Sequence, residues 1–349
     1  MEPHCLGKAD PILCQTVQRI PIMLVSRILC SLSVPLCALL AGCTDNKPSQ
    51  YFSDYLSKIA SVQEATPLKS DLPKYEDLPR KRELYIPIDP ISIGLLESYQ
   101  LRKCGLFNLI AEKNSALGKV ADEFRNYNYQ RDVLYGISRC IEEGNIDDTL
   151  KQKLIIAEKQ KRPELYQHQW NLTYTSHAMQ EQLKGRHWLE QGLAEQVTQV
   201  NHAISILNQA FEGSNIDITS AQEVIEKQHI IGNLSYSLFY AYQHLDIVTK
   251  QLLDNDEKIL CGQHINNTKF RYLNNVFEQQ YLGKVQPYMA ALDSYYQQLS
   301  ANLILIQPKP EMSNFKYPFV ELHETFRSSI QEHVSYWQRL FQRCGKKIG

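Results

Sequence analysis

The chain has 349 residues, with 37 Lys and Arg against 38 Asp and Glu and a formal net charge of −1. That length suits one large domain or two modest ones. A near-neutral balance offers no sign of the clustered basic excess that nucleic acid recruits, so no nucleic-acid partner is expected.

Residues 1–22 carry Glu2, Asp10, Pro3, Pro11 and Pro21, which suits no export signal; a signal peptide opens on a basic stretch followed by an apolar core. Met23 fits that pattern, with Arg27 before an apolar run. The expectation is that translation starts at Met23 and that residues 1–22 are an upstream extension. The run from Ile28 to Cys43, ILCSLSVPLCALLAGC, is uncharged and ends in Leu40-Ala41-Gly42-Cys43. This ending resembles the lipobox of bacterial lipoproteins. The resemblance implies a signal peptide over residues 23–42, cleavage between Gly42 and Cys43, and a lipid anchor on Cys43. The bland alternative is a short buried helix with a chance cysteine. The run is short for a membrane span, which needs roughly 18 residues or more, and Pro35 weakens a permanent helix. Several acyl chains at about 0.8 kcal/mol per buried CH₂ would hold such a protein to a membrane. Thr44 after the cysteine, with Asp45 one further on, resembles outer-membrane sorting on the periplasmic face. The implied partners are the lipoprotein processing and sorting machinery and the membrane itself. Residues 43–50 would be a polar tether, and residues 51–349 a periplasmic domain.

Of nine cysteines, Cys5, Cys14, Cys30 and Cys37 precede the cleavage point and Cys43 takes the lipid. Cys104, Cys140, Cys261 and Cys344 remain. In an oxidising compartment an even number reads as two disulfides, with three possible pairings. Cys104–Cys140 and Cys261–Cys344 keep each bridge within one half of the chain and are favoured; free buried thiols are the alternative.

The periodicity predicts an all-α fold, an elongated antiparallel bundle of long helices with a proline-rich extended segment. Phe52, Tyr55, Leu56 and Ile59 mark a first helix over residues 51–63. Pro67, Pro73, Pro79, Pro87 and Pro90 then predict an irregular stretch, within which Arg80-Lys81-Arg82 reads as a solvated loop. A helix is predicted over residues 91–113, stopped by Asn114, Ser115 and Gly118. Another ends near Cys140, and a third is capped by Asp147 or Asp148 and broken by Pro163. Trp170-Asn171 is expected at an irregular corner, and Ser176 caps a short helix to Leu183. Apolar stripes follow: Leu193, Val197, Val200, Ile204, Leu207 and Phe211, then Ile231 through Leu252, then Leu292 to Ile306. After a Pro-rich break, a last stripe runs from Leu322 to Cys344. Such stripes bury one side of each helix.

The stretch LRKCGLFNLIAEKNSALGKV, residues 101–120, resembles the signature of an uncharacterised lipoprotein family of Gram-negative bacteria, catalogued as domain of unknown function 3080. The lipobox, Tyr55-Leu56, Arg82-Glu83-Leu84, Trp170-Asn171 and Cys344-Gly345 extend the resemblance over most of the mature chain. It implies a helical outer-membrane lipoprotein and no particular activity.

Arg102, Glu112, Asn114 and Ser115 form the densest polar group of that segment and a possible binding cluster. The plainer reading is a helix end satisfying its own carbonyls. Glu97-Ser98 resembles the Glu-Ser pair of lytic transglycosylases, whose Glu is general acid and base, but the Gly-Leu-Met-Gln-like segment that should follow is missing. Glu226 and His229 have the spacing of a di-iron pair, yet no second Glu-x-x-His exists. No hydrolase, zinc-protease, phosphate-loop or dinucleotide motif is present, so no catalytic residue, metal or cofactor is assigned. Among 20 tyrosines, Tyr236, Tyr240, Tyr295 and Tyr296 suit either a groove wall or a half-wet core. The functional expectation is a non-catalytic envelope scaffold or binding module, with an envelope protein or peptidoglycan as partner. The alternative is a peptidoglycan-active enzyme using Glu97.

Overall fold

Helix α1 (Pro48–Val62) begins one turn earlier than its apolar spacing suggests, because Pro48 suits a first turn whose N–H groups lack intrahelical partners. It buries Phe52, Tyr55, Ile59 and Ala60. The computed structural model describes residues 47–89, 99–262 and 266–346, which belong to one compact unit of residues 46–349. Among the described residues every regular element is helical, and several helices are long. None of these helices is long and apolar enough to cross a membrane. Gly42, Cys43 and Glu97, to which expectations were attached, lie outside the described residues.

Residues 66–80 have neither helix nor strand. Their backbone groups must bond to something, and helix side chains supply partners. Leu68 N donates to Gln251 Oε1 at 3.0 Å and Tyr75 N to the Tyr240 hydroxyl at 3.2 Å. After the short α2 (Lys81–Leu84), Asn171 takes both backbone groups of Ile86. Its Oδ1 accepts from Ile86 N at 2.9 Å and its Nδ2 donates to Ile86 O at 2.8 Å. One amide side chain thus stands where a neighbouring strand would.

Of the helix predicted over residues 91–113, residues 91–98 lie outside the described residues and the remainder is interrupted. A 3-10 turn (Leu101–Cys104) ends at Gly105, whose φ of +80° is left-handed, and α3 (Leu106–Asn114) starts afresh. A Cβ on Gly105 would lie 2.8 Å from Arg139 Nη2, which donates to Cys104 O at 2.5 Å. A left-handed residue cannot continue a right-handed helix. Helix α4 (Ala116–Lys119) then leads to α5 (Glu123–Glu143), capped by Asp122, and α6 (Asp148–Thr175), capped by Asp147 Oδ1 accepting from Leu150 N at 2.7 Å.

Helices α5 and α6 form an antiparallel hairpin, with Asn126 facing His168 and Ser138 facing Glu158. Two expectations fail on α6. Pro163 lies inside the helix without ending it. Trp170-Asn171 is helical, not a corner. An interior proline costs about 3 kcal/mol, and burial on both sides offsets it. Leu150, Leu154 and Ala157 bury upstream, and Trp170, Leu172 and Tyr174 downstream. The upstream group joins Leu101, Leu106, Val133 and Ile137 in a satellite core, stapled by the Cys104–Cys140 disulfide, whose Cα atoms are 5.2 Å apart.

Ser176 caps α7 (His177–Leu183) as expected, accepting from Met179 N at 3.2 Å. The main core is built by α8 (Ala194–Phe211), α9 (Thr219–Lys227), α10 (Ile230–Asp254), α11 (Thr268–Val276), α12 (Gln286–Ser300) and α13 (Phe319–Arg343) together with α1. All of Ile231, Leu234, Leu238, Ala241, Leu245, Val248 and Leu252 are buried, the larger of these side chains contributing roughly 1.5–3 kcal/mol each. Between α11 and α12, residues Phe277–Val285 form a π-helix. It ends just before Pro287, which has no N–H for the carbonyl of Gly283, so a wider turn there forfeits no α-type bond that proline would have allowed. Neighbours are not all antiparallel. Phe52 stacks on His244 and Gln63 reaches Leu252, so α1 and α10 run parallel. Ser329 meets Asp246 and Tyr336 meets Asp256, so α13 runs parallel to both. The Cys261–Cys344 disulfide ties the end of α13 to the segment after α10, with Cα atoms 5.2 Å apart.

Candidate functional site

The segment 101–120 supplies one wall of a cleft of about 810 Å³. Glu112 and Lys113 come from the last turn of α3, and Ser115 from the joint with α4. Helix α5 adds Arg125, Tyr129, Arg131 and Asp132, and the segment before α9 adds Asp217. Gly118 permits this wall. A Cβ there would sit 2.3 Å from the carbonyl oxygen of Glu112 and 2.6 Å from that of Lys113, so any side chain would push α4 away from the end of α3.

Charge in the cleft is mixed and pinned. Arg131 Nη1 donates to the carbonyls of Ser214 at 3.2 Å and Ile216 at 2.6 Å, and its Nε lies 3.9 Å from Asp132 Oδ1. Asp217 accepts from Thr219 N at 2.9 Å, from the Thr219 hydroxyl at 2.8 Å and from Asn128 Nδ2 at 2.6 Å. Those Thr219 bonds favour its charged form and hold its carboxyl below the usual range. Asp132 moves the other way. Burial raises its pKa, Arg131 opposes the rise, and the like charges of Asp217 and Glu112 add to it. Three carboxylates, two arginines and a lysine can thus meet both donors and acceptors of a polar ligand.

The expected cluster is divided by the structure. Glu112 and Ser115 line the cleft. Ser115 Oγ also accepts from Gly118 N at 3.1 Å, capping α4 as the plainer reading required. Asn114 is exposed at the end of α3 and does not line the cleft. Arg102 is held elsewhere, its guanidinium 4.5 Å from the ring centroids of both Tyr99 and Phe107. The break at Gly105 is the reason, since Arg102 and Glu112 do not share one continuous helix. Glu226 and His229 fail as a pair on one helix. Helix α9 ends at Lys227, His229 Nε2 bonds the Glu226 carbonyl oxygen at 2.9 Å, and Glu226 lies 3.2 Å from His177. No group of three or more metal-ligating residues occurs among the described residues.

The tyrosines divide too. Tyr236 and Tyr240 surround half-buried Trp188. Tyr295 and Tyr296 are buried, and the Tyr295 hydroxyl accepts from Leu193 N at 3.0 Å. Lys113, Arg131, Asp132 and Asp217 were not singled out by sequence. Only Lys113 carried a signal, lying inside the 101–120 segment.

No curated protein matches the chain, and no solved structure does. A family model described as "Protein of unknown function (DUF3080)" matches residues 52–348, a span that contains the cleft and both disulfides. The chain belongs to that family.

Proposed function

We propose that this protein is a lipid-anchored envelope protein of the outer membrane, facing the periplasm, whose helical body is a non-catalytic scaffold or binding module. The observation that carries the binding role is the cleft beside the 101–120 segment, with Glu112, Lys113, Arg131 and Asp132 at its walls. Anchoring rests on the Leu40-Ala41-Gly42-Cys43 ending. Two disulfides accord with an oxidising compartment. Metabolic labelling with a fatty-acid analogue tests the anchor: the wild type should take label and Cys43→Ala should remain an unlabelled precursor. Sedimentation with purified peptidoglycan and with envelope fragments tests the cleft. Retention should fall in Asp132→Asn and Glu112→Gln, and equal retention of all three proteins would discard the cleft as the binding surface.

One observation favours a second reading, an enzyme acting on peptidoglycan. Asp132 stands in the cleft beside Glu112 and Asp217, and burial together with like charges so placed favours a protonated carboxyl, the character of a general acid. Incubating the protein with purified peptidoglycan and analysing released fragments separates the two. Soluble fragments from wild type and none from Asp132→Asn would replace the binding role with catalysis.

A further inference from the structure

Beyond the cleft, and sharing Lys113 and Ala121 with it, lies a second cavity of about 330 Å³ between α5 and α6. His168 lines it and is only 9% exposed, yet its Nε2 has no hydrogen-bond partner. The bonds around it assign that nitrogen's proton. Lys113 Nζ donates to Asn126 Oδ1 at 3.0 Å, which orients the amide so that Nδ2 donates to His168 Nδ1 at 3.4 Å. With Nδ1 accepting, the proton of the neutral ring resides on Nε2, which is then a buried donor without an acceptor. Leaving such a group unpaired is costly, and a ligand that accepts from it removes that cost.

The surroundings supply positive charge. Lys113 is partly desolvated, and its contacts are an amide oxygen and the face of Tyr129, its Nζ 5.4 Å from the ring centroid. Lys161 also lines the cavity and shares Glu164 at 3.1 Å. Burial first, then the charges of Lys161 and Lys113, push the His168 ring down to about 4, so it stays neutral and donates. Among the acids at this cavity, Glu123 is engaged by Lys81 and Asp89 lies at the edge of the described chain. Gln130 adds the complementary feature, a buried Oε1 with no donor.

We propose that this pocket binds a compact hydroxylated anion, of sugar-phosphate size. Its anionic oxygens would accept from His168 Nε2 and be neutralised by Lys113 and Lys161, and one of its hydroxyls would donate to Gln130 Oε1. The volume suits a small ligand. Lys113 is shared with the neighbouring cleft, but His168, Gln130 and Lys161 are not, and a response at the His168 ring that depends on Gln130 reports this cavity and not the cleft.

The test follows the His168 ring signals of full-length protein with 15N-labelled histidine. The probes are glucose 6-phosphate, inorganic phosphate, glucose, and vesicles of phosphatidic acid. Saturable shifts with glucose 6-phosphate, at least tenfold weaker binding of inorganic phosphate and no response to glucose are expected. Lys113→Gln should weaken the sugar phosphate at least tenfold. Gln130→Leu, which keeps both lysines, should remove the advantage of the sugar phosphate over inorganic phosphate. No saturable shift with the sugar phosphate, a response to vesicles alone, or equal binding by wild type and Gln130→Leu would overturn the assignment.

Discussion

Tyr55 and His333 are 278 positions apart in sequence, and their side chains share a hydrogen bond of 3.0 Å at the centre of the core. Thr249 closes the arrangement from α10, its hydroxyl 2.9 Å from His333 Nδ1. Trp337 Nε1 donates to the Tyr55 hydroxyl at 3.1 Å. Three parallel helices are thus registered by one fully buried imidazole.

That imidazole makes stability depend on pH. Burial pushes the His333 pKa down to about 3, against about 6.5 in an unfolded chain. The unfolded state therefore binds the proton more readily, and stability rises with pH between those values. The contribution is complete above the unfolded pKa and is lost as pH falls towards 3. His168 shifts in the same direction. Between pH 7 and pH 5 each histidine should remove about 2 kcal/mol. Urea unfolding at the two pH values should show the loss, and His333→Gln should recover about half of it. An unchanged pH dependence in that variant would refute the assignment.

Asn171→Leu should free the segment around Ile86. Both backbone groups of Ile86 lose their partner, which costs about 2–3 kcal/mol and exposes residues 66–88 to protease. Limited proteolysis followed by mass spectrometry should find the first cut there, and a first cut elsewhere would count against this role.

Gly118→Ala should reshape the cleft without unfolding the main core. Its added carbon would meet two backbone carbonyls of α3 within 3 Å, and backbone cannot yield as a side chain tip can. Amide spectra should change across residues 109–132 and stay fixed on α10 and α13. Changes on α10 would show that the two cores are coupled more tightly than their separate packing implies.

Cys344→Ser should let the end of α13 fray first. The chain-entropy account gives a bridge over this separation of 83 residues about 4.5 kcal/mol. Arg343, paired with Asp256 and exposed for nearly half its side chain, adds little. Faster hydrogen exchange should be confined to residues 320–345, and uniform loosening of the whole chain would contradict it.

The long stripes of α8, α10 and α13 were legible because their apolar positions repeat at helical spacing over many turns. The caps Asp147 and Ser176 were legible because capping is local. The disulfide pairing could be reached once only four cysteines remained. Short helices α9 and α11 escaped notice because they bury little: α9 buries Ala221 and Ile225, and α11 buries Leu273. Pro163 and Trp170-Asn171 misled for one reason. Local preference was overruled by packing against α5 and by the bonds of Asn171 and Trp170 to residues 84–86. The cleft was half visible, since Glu112 and Ser115 sit in one segment, but Asp132 and Asp217 join them only after α5 and the approach to α9 fold together.

The seating of α1 bears on how this body would respond to being pulled. Force applied at residue 47 along the helix axis reaches Phe52, Tyr55 and Ile59 together, as shear across the faces of α10 and α13, and does not peel them off one by one. At the other end, a covalent clasp stops α13 from sliding past α10. A molecule held by its first helix would therefore transmit load through its most deeply buried side chains.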